Sequence, residues 1–134
     1  MGAGTAILLA CNSQPSPRQV TMDFVGSVIE GDSTGVEKYL DLDAMVDRRM
    51  QEIPPTDSTQ THAYFRDKIL ANLTGDGGIR ADWKSHRCVV NNEKVAGDTA
   101  EVELTLMNQS TGQIHYLKVY LYHGATGWRA FYFL

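Results

Sequence analysis

The first half of the chain has apolar residues at intervals of three and four, the spacing that places them on one face of an α-helix. Val20, Phe24 and Val28 recur at every fourth position. Ser16-Pro17 precedes them and Gly31 follows them, and these residue types are typical of the beginning and the end of a helix. The pattern therefore predicts an amphipathic helix between the two signals.

Three further helices are predicted before residue 75. Asp32 can cap a short second helix, and Asp43 can cap a third that ends at Pro54-Pro55. A fourth begins at His62 and ends at Gly75-Asp76-Gly77-Gly78, which we interpret as a linker. The apolar positions of these three helices are Val36, Tyr39, Leu40, Met45, Val46, Met50, Tyr64, Phe65, Ile69 and Leu73.

After Lys84 the period of the pattern changes to an alternation of apolar and polar residues, which is typical of half-buried strands. Val102, Leu104 and Leu106 alternate with polar residues. Turn signals at 96–98, 109–112 and 124–127 divide this half into strands over 87–95, 100–108, 113–123 and 128–134. Helices followed by hairpin-linked strands predict an α+β fold, with amino-terminal helices packed on a four-stranded antiparallel sheet.

The same alternation assigns the two faces of the sheet. Leu117, Val119 and Leu121 should face the helices, as should Trp128, Ala130 and Tyr132 on the last strand. The outer face then has too much aromatic surface for solvent alone, which favours a homodimer through the sheet. Alternatively, the chain itself covers the last strand on both sides. The residues predicted to form this partner surface are Tyr116, Tyr120, Tyr122, Phe131 and Phe133.

The composition indicates one globular domain and disfavours nucleic acid as a partner. The chain has 134 residues, of which 43% are hydrophobic and 21% charged, and a formal net charge of -4. It has no cluster of Lys and Arg of the kind that binds phosphates. The longest apolar run, at 6–11, is far shorter than the roughly 20 residues of a membrane-spanning helix.

The amino-terminal residues predict where in the cell the protein is located. Leu8-Leu9-Ala10-Cys11 follows a short apolar run and resembles the lipobox of bacterial lipoproteins. In that family the cysteine receives a diacylglycerol and becomes the first residue of the mature chain. The polar, proline-containing residues 12–17 would then form a tether. We expect residues 1–16 to be a signal remnant and tether, with Cys11 anchored in the envelope membrane. Alternatively the match is accidental and the protein is cytoplasmic.

The remaining chain, residues 17–134, resembles a known superfamily. The segment VTMDFVGSVIEGDSTGVEKYLDLDAMV, the strands after it and the closing GWRAFYFL are similar to the nuclear transport factor two-like, or cystatin-like, superfamily. They are particularly similar to small bacterial envelope lipoproteins of unknown function. The resemblance implies a single domain shaped as a cone. In it a curved sheet wraps against the helices, often with a pocket at the wide end and often as a dimer.

The resemblance also implies where a site would lie. A pocket in the cone would hold a small apolar ligand. Its predicted lining is Phe24, Tyr39, Tyr64, Leu104, Leu117, Trp128 and Ala130, although each of these taken singly is more typical of plain core. Enzymes of the superfamily place an acid-base residue inside the cone, and the candidates here are His115, His123, His86 and Asp43.

The candidates do not form an obvious catalytic group. His115 and His123 are eight residues apart on one predicted strand, and so roughly 26 Å from each other. The histidines and cysteines also lack the spacing of a metal site, and we expect neither metal nor cofactor. The sequence therefore favours a non-catalytic module that binds a ligand or a protein in the bacterial envelope. The alternative is a small isomerase or hydrolyase that uses one acid-base residue inside the cone.

Overall fold

A computed structural model describes residues 14–134, so Cys11 and its lipobox lie outside the described residues. In this range five helices precede four strands. The helices are α1 (Pro17–Glu30), α2 (Ser33–Tyr39), α3 (Leu42–Glu52), α4 (His62–Thr74) and α5 (Gly78–Lys84). The strands are β1 (His86–Ala96), β2 (Thr99–Asn108), β3 (Ile114–Gly124) and β4 (Gly127–Phe133).

The beginning and end of α1 follow the predicted signals. Ser16 Oγ accepts a hydrogen bond from the backbone N–H of Gln19 (3.2 Å), and Pro17 is the first helical residue. Gly31 ends the helix in the left-handed conformation, with φ 71°, and its N–H donates to the last turn. Glycine adopts that conformation without the steric cost that a Cβ brings.

The predicted cap of α3 was wrong by two residues. Asp41 caps this helix, because its side chain accepts a hydrogen bond from the N–H of Ala44 (3.1 Å). Leu42 is already helical, and Asp43 lies in the first turn, where a carboxylate still interacts favourably with the helix dipole.

Helix α5 was not predicted: Gly78 was assigned to a linker, and residues 79–84 were assigned to no element. The helix has seven residues and one buried side chain, Trp83, too few to give a periodic pattern. Asn72 of α4 holds its beginning by accepting a hydrogen bond from the N–H of Ile79 (3.1 Å). The backbone there passes so close to α4 that a Cβ at Gly77 would lie 2.3 Å from Cα of Asn72.

The four strands form one antiparallel sheet in the order β1-β2-β3-β4, which confirms the predicted α+β architecture with a curved sheet. Irregularities interrupt the register between Val90 and Asn92 and opposite Tyr120 and Leu121. Such bulges increase the local bend of a sheet. The outer edge of β4 is partly paired by the chain itself. Leu40 forms a β-bridge with Ala130, and the N–H of Asp41 donates a hydrogen bond to the carbonyl oxygen of Ala130 (2.7 Å).

The core lies between α1 and the concave face of the sheet. Phe24 forms its centre, with ring centroids 5.7 Å from Trp83 and 5.8 Å from Phe133. The inward positions predicted on β2 and β3 are confirmed as buried. Each such aliphatic side chain contributes about 1.5–3 kcal/mol by its removal from water. These residues are Val102, Leu104, Leu106, Leu117, Val119 and Leu121.

Strand β4 does not follow the predicted alternation. Ala130 lies opposite Leu121, whereas Tyr132 lies opposite Tyr120, so Phe131 is an extra residue in the ladder. The faces exchange beyond this bulge. Phe133, predicted outside, therefore packs against Phe24 and Trp83 on the core side. Tyr132, predicted inside, pairs with Tyr120 (ring centroids 6.1 Å), although both residues are only partly buried.

Candidate functional site

Aliphatic and aromatic side chains fill the interior of the cone. Among the seven predicted pocket residues, Phe24, Leu104 and Ala130 have no exposed surface, and Leu117 is buried beside them. These four belong to the packed core. Tyr39 and Trp128 are half-buried at its margin, and Tyr64 lies elsewhere, on α4. The cone interior thus has the composition of a filled core.

The fully buried positions within residues 14–134 include no acidic, basic or histidine residue. The buried polar residues in that range are Thr21 and Ser27. The Thr21 hydroxyl donates to the backbone carbonyl of Pro17 (2.8 Å), so it is satisfied inside its own helix. Neither residue can exchange a proton near neutral pH. Among the described residues, none of the fully buried side chains is therefore of the type that usually serves as a general acid or base.

Two of the acid-base candidates lie at the surface, apart from each other. His123 is exposed at the end of β3 and packs edge-to-face against Trp128, with ring centroids 5.1 Å apart. Asp43 is exposed on α3, where a carboxylate oxygen lies 3.4 Å from Nε of Arg66. Arg66 also forms an ion pair with Glu37, and the hydrogen bond between them raises the pKa of the Arg66 guanidinium. Asp43 thus belongs to a surface ion-pair network.

The other two candidates, His86 and His115, come together beside Asp82 of α5. Their ring centroids are 4.8 Å apart with the planes at 80°. One carboxylate oxygen of Asp82 lies 3.6 Å from Nδ1 of His86, and the other lies 3.9 Å from Nε2 of His115. We call these three residues the histidine cluster. They line a surface cleft of about 350 Å³ with Asn108, Gln113 and Ile114.

The sequence interpretation missed the histidine cluster because it compared residues along one strand. His86 and His115 stand near the beginnings of β1 and β3, two strands that run in the same direction on either side of β2. The register pairs His86 with Asn108 and His115 with Leu106. The sequence signal that could have revealed the cluster is a histidine near the start of β1 and another near the start of β3, because these two strands flank β2 and begin at the same end of the sheet.

A second polar group joins β3 to the corner between α2 and α3. The Tyr122 hydroxyl donates a hydrogen bond to Asp41 (2.8 Å). Burial and this hydrogen bond raise the pKa of Tyr122, although the neighbouring Arg129 opposes the shift. Arg129 in turn donates to the backbone carbonyl oxygens of Glu37 (2.6 Å) and Leu40 (3.2 Å). This group holds the edge of the sheet against the helices.

The outer face of the sheet exposes four apolar side chains at the end where β3 begins. Tyr116 lies opposite Thr105, which lies opposite Val89, and the next row contains Ile114, Met107 and the exposed Arg87. Tyr116 is 63% exposed, the highest value among the aromatic residues predicted for the partner surface. We define the sheet patch as Val89, Met107, Ile114 and Tyr116, all of which are exposed.

The rest of the predicted partner surface is less accessible. Tyr120 and Tyr122 are half-buried, and the ring of Phe131 packs 5.9 Å from that of Tyr122. The guanidinium of Arg48 from α3 lies 3.7 Å from the centroid of Tyr132 and covers that side of the face. The chain thus shields the outer face near β4 and leaves the sheet patch open.

A wider cleft of about 720 Å³ lies on the helical side of the molecule. The walls include Tyr64, Phe65 and Lys68 of α4, with Arg49 of α3 at the rim. Lys68 lies over the ring of Tyr64 (4.9 Å to the centroid). Tyr64, predicted to line the cone, therefore contributes to this separate aromatic and basic cleft.

The fold has a counterpart among solved structures. No protein-family model matches the chain, and no curated protein does. The chain is similar to the crystal structure of a Campylobacter jejuni protein described as an NTF2-like transpeptidase, with a TM-score of 0.56 and 13% sequence identity. The similarity covers 88% of this chain and 99% of that one. The protein therefore has an NTF2-like fold, as the sequence resemblance implied.

Proposed function

We propose that this protein is a non-catalytic interaction module of the bacterial cell envelope, anchored by lipid at Cys11 and assembled as a homodimer through the outer face of its sheet. The observation that supports it best is the contrast between the two faces of the sheet. The inner face is closed around an apolar core, whereas the outer face exposes the sheet patch. Monomeric proteins seldom expose large contiguous apolar areas without a binding role.

The filled interior favours a protein partner over the expected small apolar ligand. Ligand sites are normally concave and enclose most of the ligand surface, and the core residues predicted to line such a site are packed against one another. The enzyme alternative requires an acid-base residue in the same interior. The buried polar side chains there, in the part of the chain described, are hydroxyls.

A second copy of the chain suits the outer face because this face is complementary to itself. Beyond the sheet patch it presents both signs of charge, with Lys118 opposite Glu103 and 3.8 Å from Glu101. In a two-fold dimer each surface meets its own copy, so a face with both signs can pair lysine with glutamate across the axis. A single-sign face would repel its copy.

The test is the mass of the particle in solution for the wild type and Tyr116→Lys. A charge at the centre of a buried apolar contact is strongly unfavourable, so we expect a dimer for the wild type and a monomer for the variant. Light scattering after size exclusion, over a range of protein concentrations, measures both.

Ile53→Lys is the matched control, because Ile53 is an apolar residue of similar exposure, 54%, at the end of α3 and off the sheet. It should leave the dimer unchanged. A wild-type monomer at millimolar concentration, or a dimer that survives Tyr116→Lys, would refute assembly through this face.

A further inference from the structure

We propose that the histidine cluster is a binding site for a divalent transition-metal ion of the zinc type, with one carboxylate oxygen of Asp82 and one ring nitrogen each from His86 and His115 as ligands. The three ligand atoms lie within 4.8 Å of one another. Imidazole nitrogens and a carboxylate are the ligands that zinc and its neighbours prefer when thiolates are absent. The inference does not depend on the proposed dimer.

The three side chains of the histidine cluster lie farther apart than they would if they were hydrogen-bonded to one another. The carboxylate of Asp82 lies 3.9 Å from Nε2 of His115, beyond ordinary hydrogen-bond length, and the candidate ligand atoms of the three residues all lie within 4.8 Å of one another. Ligands at about 2.0–2.1 Å from a tetrahedral zinc ion are about 3.3 Å apart. The groups therefore surround a space that closes onto an ion after small side-chain rotations.

Two of the ligands are free to make those rotations and one is fixed. The side chains of Asp82 and His115 are 48% and 49% exposed, whereas that of His86 is 8% exposed. Nδ1 of His86 lies 2.6 Å from the backbone carbonyl oxygen of Asp82. A carbonyl oxygen can only accept, so a hydrogen bond there places the proton on Nδ1 and orients the ring. Such a second bond is typical of histidines that bind metals.

The charge of the cluster also suits a cation. With neutral imidazoles the three residues bring one negative charge. The other residues that line the cleft, Asn108, Gln113 and Ile114, bring none. Three protein ligands would leave a coordination position open toward the cleft. Sites of this kind bind water or an exchangeable ligand at that position, whereas purely structural zinc sites have four protein ligands.

Metal binding can be tested with tag-free, metal-free full-length protein titrated with Zn²⁺ by calorimetry. We expect one ion per chain. We also expect His115→Asn and Asp82→Asn to weaken the affinity at least about tenfold. Both side chains are half-exposed, so the variants should fold, as circular dichroism would verify. His123→Asn is the matched control, because His123 is also an exposed histidine of β3 but lies outside the cluster.

Cobalt provides a second measurement that identifies the ligands. Co²⁺ in the site should give visible absorption typical of nitrogen and oxygen ligands, without the intense band of a cysteine thiolate, and His115→Asn should abolish it. Absence of stoichiometric Zn²⁺ binding, equal affinity of wild type and His115→Asn, or a thiolate band would each refute the site.

Discussion

Gly31 and Gly26 show how differently one residue type can act within a single helix. Gly31 ends α1 at φ 71°, and a Cβ there would lie 3.0 Å from the carbonyl oxygen of Thr74 and 3.2 Å from the guanidinium of Arg80. Gly26 lies inside the same helix, and a Cβ there would meet nothing within 4 Å among the described residues. The left-handed backbone conformation requires glycine at position 31, whereas Gly26 only increases the conformational entropy of the unfolded chain.

Alanine at the two positions should therefore change stability in opposite directions. We expect Gly31→Ala to lower the free energy of unfolding by at least about 1 kcal/mol, because both the backbone conformation and the space oppose a Cβ. We expect Gly26→Ala to raise it by about 0.5–1 kcal/mol, because alanine favours a helix interior. Urea unfolding monitored by circular dichroism measures both. Equal effects of the two substitutions would contradict this account of the helix end.

At the scale of elements, long periodic segments could be predicted from sequence and local interruptions could not. The four helices with amphipathic stripes and the four strands were predicted within a few residues of their observed bounds. Helix α5 was missed because a seven-residue helix with one buried anchor has no period. The bulge at Phe131 was missed because the two aromatic residues that follow it, Tyr132 and Phe133, fit either face, so alternation alone could not locate an extra residue.

Strand β4 offers a direct test of that bulge. Phe133 contacts Phe24 and Trp83 in the core, while Phe131 lies against Tyr122 on the outer side. We expect Phe133→Ala to cost about 3 kcal/mol of unfolding free energy, since it leaves a cavity, and Phe131→Ala to cost less than about 1 kcal/mol. Chemical denaturation of the two variants gives the comparison. Similar losses for the two variants would contradict the bulge, because regular alternation places Phe131 and Phe133 on the same face.

At the scale of the whole molecule, the order of helices and strands was enough to predict the fold but not the candidate site. Turn signals between consecutive strands left little choice except a meander, and the helices could cover only one of its faces. The histidine cluster depends instead on which strands flank one another and on α5, a helix the sequence did not predict. Contacts between residues distant in sequence therefore decided the site.

The proposed lipid anchor at Cys11 concerns the whole molecule, because it would hold the described domain at a membrane. Among residues 14–134, none of the helices has the length and apolar content to cross a bilayer. If Cys11 is acylated as proposed, the two chains of a diacylglycerol would hold the domain at a membrane, at about 0.8 kcal/mol per buried methylene. The protein isolated from its native cells should then have the mass of a chain that begins at Cys11 plus acyl groups.

Substitution of the two cysteines separates lipid anchoring from any other membrane association. We expect Cys11→Ser to move the protein from the membrane fraction to the aqueous fraction, because serine cannot form the thioether to the lipid. Cys88→Ser is the matched control. Cys88 is half-buried in β1, where burial and the charge of Asp82 raise its thiol pKa and keep it protonated, and its loss should leave the fractionation unchanged. A native chain that retains residues 1–10 and has no added mass would exclude the anchor.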